Sequence, residues 1–166
     1  SSTITIVVDD ANSDNDFDAV SNQTVTATTT DNDVAGFTVA QTGGSTSVAE
    51  TGTTDTFTVV LNAQPSSDVV ISISSADTSE ATVTSTLTFT NANWNTAQTV
   101  TVTGVDDNLI DGTISSTITI AVIDAISDNN FDPVADQTVT ATTTDNDVAG
   151  FTVAQTGGST SVAETG

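Results

Sequence analysis

The stretch QTVTATTTDNDVAGFTVAQTGGSTSVAETG at residues 23–52 occurs again, without a single change, at residues 137–166. The repetition extends further towards the N terminus, because residues 1–22 align with residues 115–136 with seven differences. The interval between the copies is 114 residues, which is the size of a whole domain and exceeds the roughly 20–50 residues of solenoid repeats. The sequence therefore predicts a segment of a longer tandem array in which each repeat is one domain.

This array predicts three pieces in the chain. They are the C-terminal part of a preceding repeat at residues 1–33, one complete repeat at residues 34–147, and the N-terminal part of the following repeat at residues 148–166. Neighbouring repeats of the same chain are then the first partners that we expect.

Seven segments of the complete repeat alternate apolar and polar residues and are rich in β-branched side chains, as strands are. They are FTVA at 37–40, TFTVVL at 56–61, VVISIS at 69–74, ATVTSTLTFT at 81–90, TVTVTGV at 99–105, TISSTITIAV at 113–122 and QTVTATTT at 137–144. Segments rich in Gly, Asn, Asp, Pro and Ser separate them and indicate turns. Seven short strands in about 110 residues predict an all-β fold, namely a seven-stranded antiparallel Greek-key sandwich of the immunoglobulin-like type, repeated in tandem.

The apolar positions of these segments predict the core of the sandwich, and their threonines predict its solvent-facing surfaces. The predicted core residues are Phe37, Val39, Phe57, Val59, Leu61, Ile71, Ile73, Val83, Leu87, Phe89, Val100, Val102, Ile118, Ile120 and Val139. Trp94 lies in a turn segment, and we expect it to pack at the rim of this core.

Composition excludes several classes of function. The chain has no Lys, Arg, His or Cys among its 166 residues, and its formal net charge is −22. Nucleic-acid binding depends largely on basic side chains that neutralise phosphates, so we expect no nucleic-acid partner. Disulfides, zinc sites of His and Cys, and nucleophiles activated by His or Lys are also excluded, and we expect no enzyme activity. No apolar run in the sequence approaches the roughly 20 residues of a membrane-spanning helix.

The acidic residues concentrate in particular connections between predicted strands. Because antiparallel strands alternate in direction, the connections after the first, third and fifth strands, and the chain after the seventh, lie at one end of the sandwich. Those segments carry Glu50, Asp77, Asp106, Asp107, Asp111, Asp145 and Asp147. Clustered carboxylates without basic partners need a cation with many oxygen ligands, which describes Ca²⁺ better than Mg²⁺. The alternative is that these are ordinary solvated loop residues, since Asp is favoured in turns.

The tripeptide DND ends the last predicted strand of each copy, at residues 145–147 and at residues 31–33. VAGF follows it directly, without the Gly-, Ser- or Pro-rich composition of a flexible linker. We hypothesise that Ca²⁺ bound at this tripeptide, by Asp31 and Asp33 in the first copy, fixes one repeat against the next and stiffens the array.

These motifs, in this order, resemble the Calx-β family, whose modules occur both outside and inside cells. SVAE at 47–50, VDDNLIDG at 105–112 and DND at 145–147 match its pattern, as does Asp77 after the third strand. The segment LTFTNANWNTAQTVTVTGVDD at 87–107 is similar to one in tandem repeats of very large bacterial surface proteins. The resemblance covers the whole repeat and implies a β-sandwich that binds Ca²⁺ at one end, with the seven acids of the complete repeat in ligand positions.

Three functions are compatible with these observations. The first is a calcium-stiffened spacer or stalk repeat of an extracellular, adhesin-like bacterial protein that is secreted and held at the cell surface. The second is a subunit of a self-assembling extracellular filament or surface layer, in which chains also associate laterally. The third is a glycan- or ice-binding module, for which the threonine rows and Trp94 are the candidate surfaces, although threonine suits any solvent-facing strand.

Overall fold

The computed structural model describes residues 1–165, and strands and short 3-10 turns are the regular elements among them. The chain divides into two compact units, Ser1–Asp33 and the chain from Val34 onward. No helix within these described residues is both long enough and apolar enough to cross a membrane. The all-β class predicted from the alternating segments is confirmed.

The first unit is a β-hairpin. Strand β1 (Ser2–Ile6) pairs antiparallel with β2 (Gln23–Ala27), and a 3-10 turn at Asn15–Phe17 lies in the connection. The side chains of both strands are exposed, except that Ala27 is half-buried. This two-stranded sheet therefore has no core of its own.

The second unit has nine strands within the described residues, arranged in two sheets. They are β3 (Phe37–Gln41), β4 (Thr46–Ala49), β5 (Thr54–Leu61), β6 (Val69–Ser75), β7 (Ala81–Val83), β8 (Thr86–Phe89), β9 (Gln98–Gly104), β10 (Ile114–Val122) and β11 (Gln137–Thr144). One sheet has five strands in the order β4-β11-β10-β6-β8, and the other has four in the order β3-β5-β9-β7. Short 3-10 turns lie at Thr42–Gly44 and Asp124–Ile126.

Two of the predicted strands are divided between the sheets, which raises the number from the predicted seven to nine. The first predicted strand continues from β3 in the four-stranded sheet to β4 in the five-stranded sheet, and the fourth divides in the same way into β7 and β8. Gly43 and Gly44 have φ angles of 72° and 84°, which let the chain cross between the sheets after β3. TGGS at 42–45 interrupts the alternating pattern between β3 and β4, so the first break is visible in the sequence. Alternation continues through ATVTSTLTFT at 81–90, so the pattern does not indicate the break between β7 and β8.

The expectation of a wholly antiparallel sandwich is wrong at one edge. β4 pairs with β11 in parallel, with Thr46 opposite Ala141 and Ala49 opposite Thr144, whereas the other neighbouring pairs of the second unit are antiparallel. The reason is strand direction. The first and the last predicted strands run the same way along the sandwich, so they pair in parallel once β4 has entered the five-stranded sheet.

The two sheets enclose one apolar core, which is the arrangement of a β-sandwich. All but two of the predicted core residues are buried, and the two exceptions, Val39 and Val83, are partly buried against the core. Trp94 also packs, partly buried, against this core. Core residues outside the predicted set are Val48, Ala63, Val69, Ala81, Phe131 and Ala141.

Candidate metal site

Strand direction brings four acidic segments together at one end of the second unit, which we call the acidic end. They are the β4–β5, β6–β7 and β9–β10 connections and the residues that follow β11. Backbone hydrogen bonds join them: the N–H of Glu50 donates to the carbonyl of Thr144 at 3.1 Å, and that of Val105 to the carbonyl of Glu80 at 2.9 Å. The acids are therefore held by the ends of paired strands.

β9 and β4 approach each other closely at the acidic end. A Cβ atom on Gly104 would collide with the carbonyl oxygen of Ala49, the residue before Glu50. The N–H of Gly104 also donates to the carbonyl of Thr53 at 3.0 Å. Because only glycine permits this approach, Gly104 contributes directly to the position of Glu50.

Two groups of carboxylates at the acidic end have the spacing of metal ligands. Glu50, Glu80 and Asp111 form the first group, and Glu50, Asp145 and Asp147 form the second. In each group, one carboxylate oxygen from every member lies within 4.8 Å of the others. Oxygens bound to one Ca²⁺ lie about 2.3–2.6 Å from it, so this spacing fits a shared ion. Glu50 belongs to both groups and connects them.

Several of these carboxylates are buried. Glu50 is 1% exposed and Glu80 is 4% exposed. Glu80 Oε2 and Asp147 Oδ2 are buried oxygens that have no hydrogen-bond partner within residues 1–165. A buried carboxylate oxygen without a partner is unfavourable, and folded proteins rarely retain one unless it has a function.

The pKa values at the acidic end reflect burial and crowding of like charges. Burial raises the pKa of Glu80, and repulsion from neighbouring carboxylates raises it further. The backbone N–H of Asn146 lowers the pKa of Glu50, but burial and the surrounding negative charges outweigh it, so the pKa is raised. Burial, followed by the charge of Asp145, raises the pKa of Asp147. The fold therefore holds these acids where their charged forms are disfavoured.

Asp145 is the exception among the grouped acids with a shifted pKa. The N–H of Asp147 donates to its Oδ1 at 2.6 Å, and the N–H of Gly112 donates to its Oδ2 at 2.8 Å. These backbone hydrogen bonds lower the pKa of Asp145 despite partial burial. A carboxylate in this arrangement stays ionised and points in a fixed direction, which suits a metal ligand.

Asp77, Asp106 and Asp107 lie around the two groups without belonging to them. Asp77 Oδ1 accepts hydrogen bonds from the hydroxyl and the N–H of Ser79, which lower the pKa of Asp77. Asp106 Oδ1 accepts from the side-chain amide of Asn146 at 2.9 Å. All three acids add negative charge: Asp77 and Asp107 act on Glu80, and Asp106 and Asp107 act on Asp147.

Glu80 was not among the acids singled out in the sequence, although it completes the first carboxylate group. Strand direction in the sequence could have identified it. Glu80 directly precedes β7, which runs opposite to β6, so both ends of the connection in SADTSE lie at the acidic end. Asp77, near the start of this connection, is predicted at the acidic end because it follows the third predicted strand. The same reasoning applies to Glu80, which precedes the fourth.

Asp31 and Asp33 belong to the first unit, and neither joins a carboxylate group among the residues that the structure describes. Both side chains are exposed. The N–H of Asp33 donates to Asp31 Oδ1 at 3.0 Å, which reproduces the turn formed by Asp145 and Asp147. Their role in binding a metal remains a prediction from the sequence repeat.

No protein-family model and no curated protein matches this chain. Among solved structures, the E. coli chaperone DraB is similar at 10% identity and a TM-score of 0.48, over 70% of this chain and 59% of that one. Domains 1–6 of the surface layer protein SbsC are similar at 23% identity and a TM-score of 0.48, over 75% of this chain and 15% of that one. The apo-form Calx CBD1 domain is similar at 14% identity and a TM-score of 0.46, over 67% of this chain and 98% of that one. These scores are too low to assign a family.

Proposed function

We propose that residues 34–147 form a Ca²⁺-binding structural module, repeated in tandem, that acts as a spacer or stalk in an extracellular, adhesin-like protein at the cell surface. The observation that carries the proposal is the pair of buried carboxylate oxygens, Glu80 Oε2 and Asp147 Oδ2, which have no hydrogen-bond partner in the described part of the chain. The sequence contains no Lys, Arg or His that could balance them. A cation from solution can neutralise them while they stay ionised.

The donor set favours Ca²⁺ among the available cations. Every side-chain ligand at the acidic end is a carboxylate, and hard oxygen ligands select Ca²⁺ or Mg²⁺ over zinc, copper and iron. The proposed ligands are the members of the two carboxylate groups, Glu50, Glu80, Asp111, Asp145 and Asp147, and Asp77, Asp106 and Asp107 lie around them. Ca²⁺ takes about six to eight oxygens in a flexible geometry, whereas Mg²⁺ keeps several waters and a strict octahedron. Many partly buried carboxylates from separate connections fit the first requirement better.

Bound Ca²⁺ would cross-link the connections at the acidic end. Glu50 follows β4, Glu80 precedes β7, Asp111 precedes β10 and Asp145 follows β11. An ion between these residues ties together strands of both sheets, because β7 belongs to the four-stranded sheet and the other three strands to the five-stranded sheet. Since Glu50 belongs to both carboxylate groups, its two oxygens suit a position between two ions.

The role as a spacer is supported by the sequence repeat. We propose that the sandwich, built on seven strand positions with Greek-key connections, is the repeating unit, with residues 1–33 and 148–166 belonging to flanking repeats. The DND tripeptide at 145–147 contributes to the proposed site and is followed directly by VAG, the beginning of the next copy. Calcium at Asp31 and Asp33 would then order the equivalent junction. The sequence resemblance to Calx-β modules agrees with this proposal.

The test is the thermal unfolding of the whole chain with Ca²⁺, with the same concentration of Mg²⁺, and with chelator. Extracellular calcium modules bind with constants of about 10⁻⁴–10⁻³ M, so several millimolar Ca²⁺ should raise the Tm by mass action. We expect a rise of several degrees with Ca²⁺ and little change with Mg²⁺. Equal Tm values in Ca²⁺ and chelator would refute the metal site. A calcium-independent scattering profile would refute the stiffening of the array while leaving the metal site intact.

A further inference from the structure

The complete repeat exposes large apolar side chains at its two ends. Within residues 34–147, four such side chains are at least 60% exposed, namely Val34, Leu109, Ile110 and Ile126. Leu109 and Ile110 lie in the β9–β10 connection at the acidic end. Val34 precedes β3 and Ile126 lies in the β10–β11 connection, so both lie at the opposite end. The exposed apolar side chains therefore lie where consecutive repeats of an array would meet.

The β9–β10 connection, which carries the apolar pair of the acidic end, is tied on both sides to the DND tripeptide. The side-chain amide of Asn146 donates to Asp106 Oδ1 at 2.9 Å. The N–H of Gly112 donates to Asp145 Oδ2 at 2.8 Å. The two apolar residues lie between these attachments in the sequence, so they are held beside the point where the chain leaves the sandwich.

One residue separates the last fixed position of the complete repeat from the first position that the following repeat would fix. Asp147 is held at the acidic end, because its N–H donates to Asp145 Oδ1 at 2.6 Å. Ala35 packs partly buried against the core, and its equivalent in the following repeat is Ala149. Consecutive Cα atoms are about 3.8 Å apart, so Asp147 and Ala149 are at most about 7.6 Å apart. The opposite end of a folded following repeat must therefore lie close to the acidic end.

Ion pairs cannot hold these two ends together. The sequence contains no Lys, Arg or His, and the opposite end carries exposed acids of its own, Asp124, Asp132 and Asp136. Contact between the ends therefore brings like charges together, which opposes it. Burial of apolar side chains is an attraction that needs no charge, and the exposed apolar residues of the two ends can supply it.

We propose that the Leu109–Ile110 pair of one repeat packs against the opposite end of the following repeat. Its partners there are the residue equivalent to Ile126 and Val148, which is the counterpart of Val34. The contact is a joint between repeats of the same chain, and it excludes water beside the carboxylate groups of the acidic end. The inference rests on the tandem spacer of the proposed function, but not on the identity of the bound metal.

The test is the reactivity of a single cysteine with N-ethylmaleimide in a chain that contains two complete repeats. The whole chain is continued after Gly166 by residues 53–147, so that the copy beginning at Val148 becomes a second complete repeat. Because the sequence contains no Cys, I110C is the only thiol, and cysteine keeps a small apolar side chain at the site. We expect I110C in the first complete repeat to react about tenfold more slowly than I110C in the added repeat, whose acidic end has no repeat after it.

Two controls separate this packing from other causes of protection. T117C, at an exposed position of β10, should react at the same rate in both repeats. I126D in the added repeat should return I110C of the first repeat to the fast rate, because it places a charge in the proposed contact. I126D in the first repeat, at the end remote from the cysteine, should not. Ile126 is 61% exposed and the first copy has Asn12 at this place, so the fold accepts a polar residue there.

Three results would overturn the proposal. They are equal reactivity of I110C in the two repeats, protection that I126D in the added repeat does not relieve, and protection that is lost on dilution, which would place the contact between chains. Running the reactions in Ca²⁺ and in chelator separates this outcome from the calcium test. Equal rates for the two repeats in both conditions refute the packing alone, whereas equal Tm values in Ca²⁺ and chelator refute the metal site alone.

Discussion

Replacing Glu80 by Gln should stabilise the calcium-free protein and reduce the additional stabilisation that calcium provides. Glu80 is 4% exposed, its Oε2 has no hydrogen-bond partner within residues 1–165, and the carboxylates of Glu50 and Asp111 lie within 4.8 Å of it. In calcium-free protein this charge is unfavourable, so the neutral amide should stabilise the sandwich. In calcium, Glu80 is a proposed ligand, so the same substitution should weaken binding.

The magnitudes follow from burial and mass action. The amide keeps a buried polar group but removes a charge that burial and the neighbouring carboxylates disfavour, so we expect the variant in chelator to gain about 1–2 kcal/mol. For a domain of this size that corresponds to a Tm increase of about 4–8 °C. At a Ca²⁺ concentration 100 times the dissociation constant, binding stabilises the parent by about 2.7 kcal/mol, and a tenfold weaker site would retain about 1.4 kcal/mol.

The assay is thermal unfolding followed by circular dichroism over a Ca²⁺ titration that starts in chelator, for the parent and the Glu80→Gln chain. Asp132→Asn is the matched control, because it removes the same charge from an exposed residue in the β10–β11 connection, away from the acidic end. A variant that is less stable than the parent in chelator, or that gains as much from Ca²⁺ as the parent does, would refute the reasoning.

The remaining predictions concern pH, the opposite end of the sandwich and the close approach of two strands. In chelator, lowering the pH from about 7 to about 5 should raise the Tm, because the folded state raises the pKa of Glu50, Glu80 and Asp147. The stability that these groups contribute is complete below their unfolded pKa and is lost as the pH rises through the folded pKa. In Ca²⁺ the same change of pH should lower the Tm, because protons compete with the metal for the carboxylates. Asp128→Ala should cost about 3 kcal/mol in urea unfolding, because it removes a buried carboxylate that accepts hydrogen bonds from the N–H groups of Ser66 and Ser67, whereas the exposed Asp132→Ala should change stability by about 0.5 kcal/mol or less. Because hydrogen bonds lower the pKa of Asp128, its contribution should be complete above about pH 4 and decline below it, so equal costs at pH 3 and pH 7 would contradict this assignment. Gly104→Ala should cost about 2 kcal/mol and reduce the calcium-dependent rise in Tm, because its Cβ would collide with the backbone of Ala49, while Gly150→Ala, with open space around it, should have neither effect.

Much of the site could be predicted because it depends on strand direction. Alternation of apolar and polar residues located the strands, and the reversal of each strand brought Glu50, Asp111, Asp145 and Asp147 to one end. Glu80 followed from the same rule but was not identified. Burial could not be predicted in this way, since it depends on how closely the ends of β4 and β9 approach, as the packing of Gly104 against Ala49 demonstrates.

The sequence by itself determined the all-β class, nearly all of the core and the 114-residue period, because these depend on local alternation and on direct repetition. Only the tertiary structure decided which sheet each strand joins. β3 and β4 separate at Gly43 and Gly44, and β4 then pairs in parallel with a strand more than 90 residues away in the sequence. It also decided that Glu80 Oε2 and Asp147 Oδ2 are buried without partners while Asp145 is held by backbone N–H groups. Identical carboxylates differ in these respects because burial and hydrogen bonding arise from contacts between distant segments, which no local pattern contains.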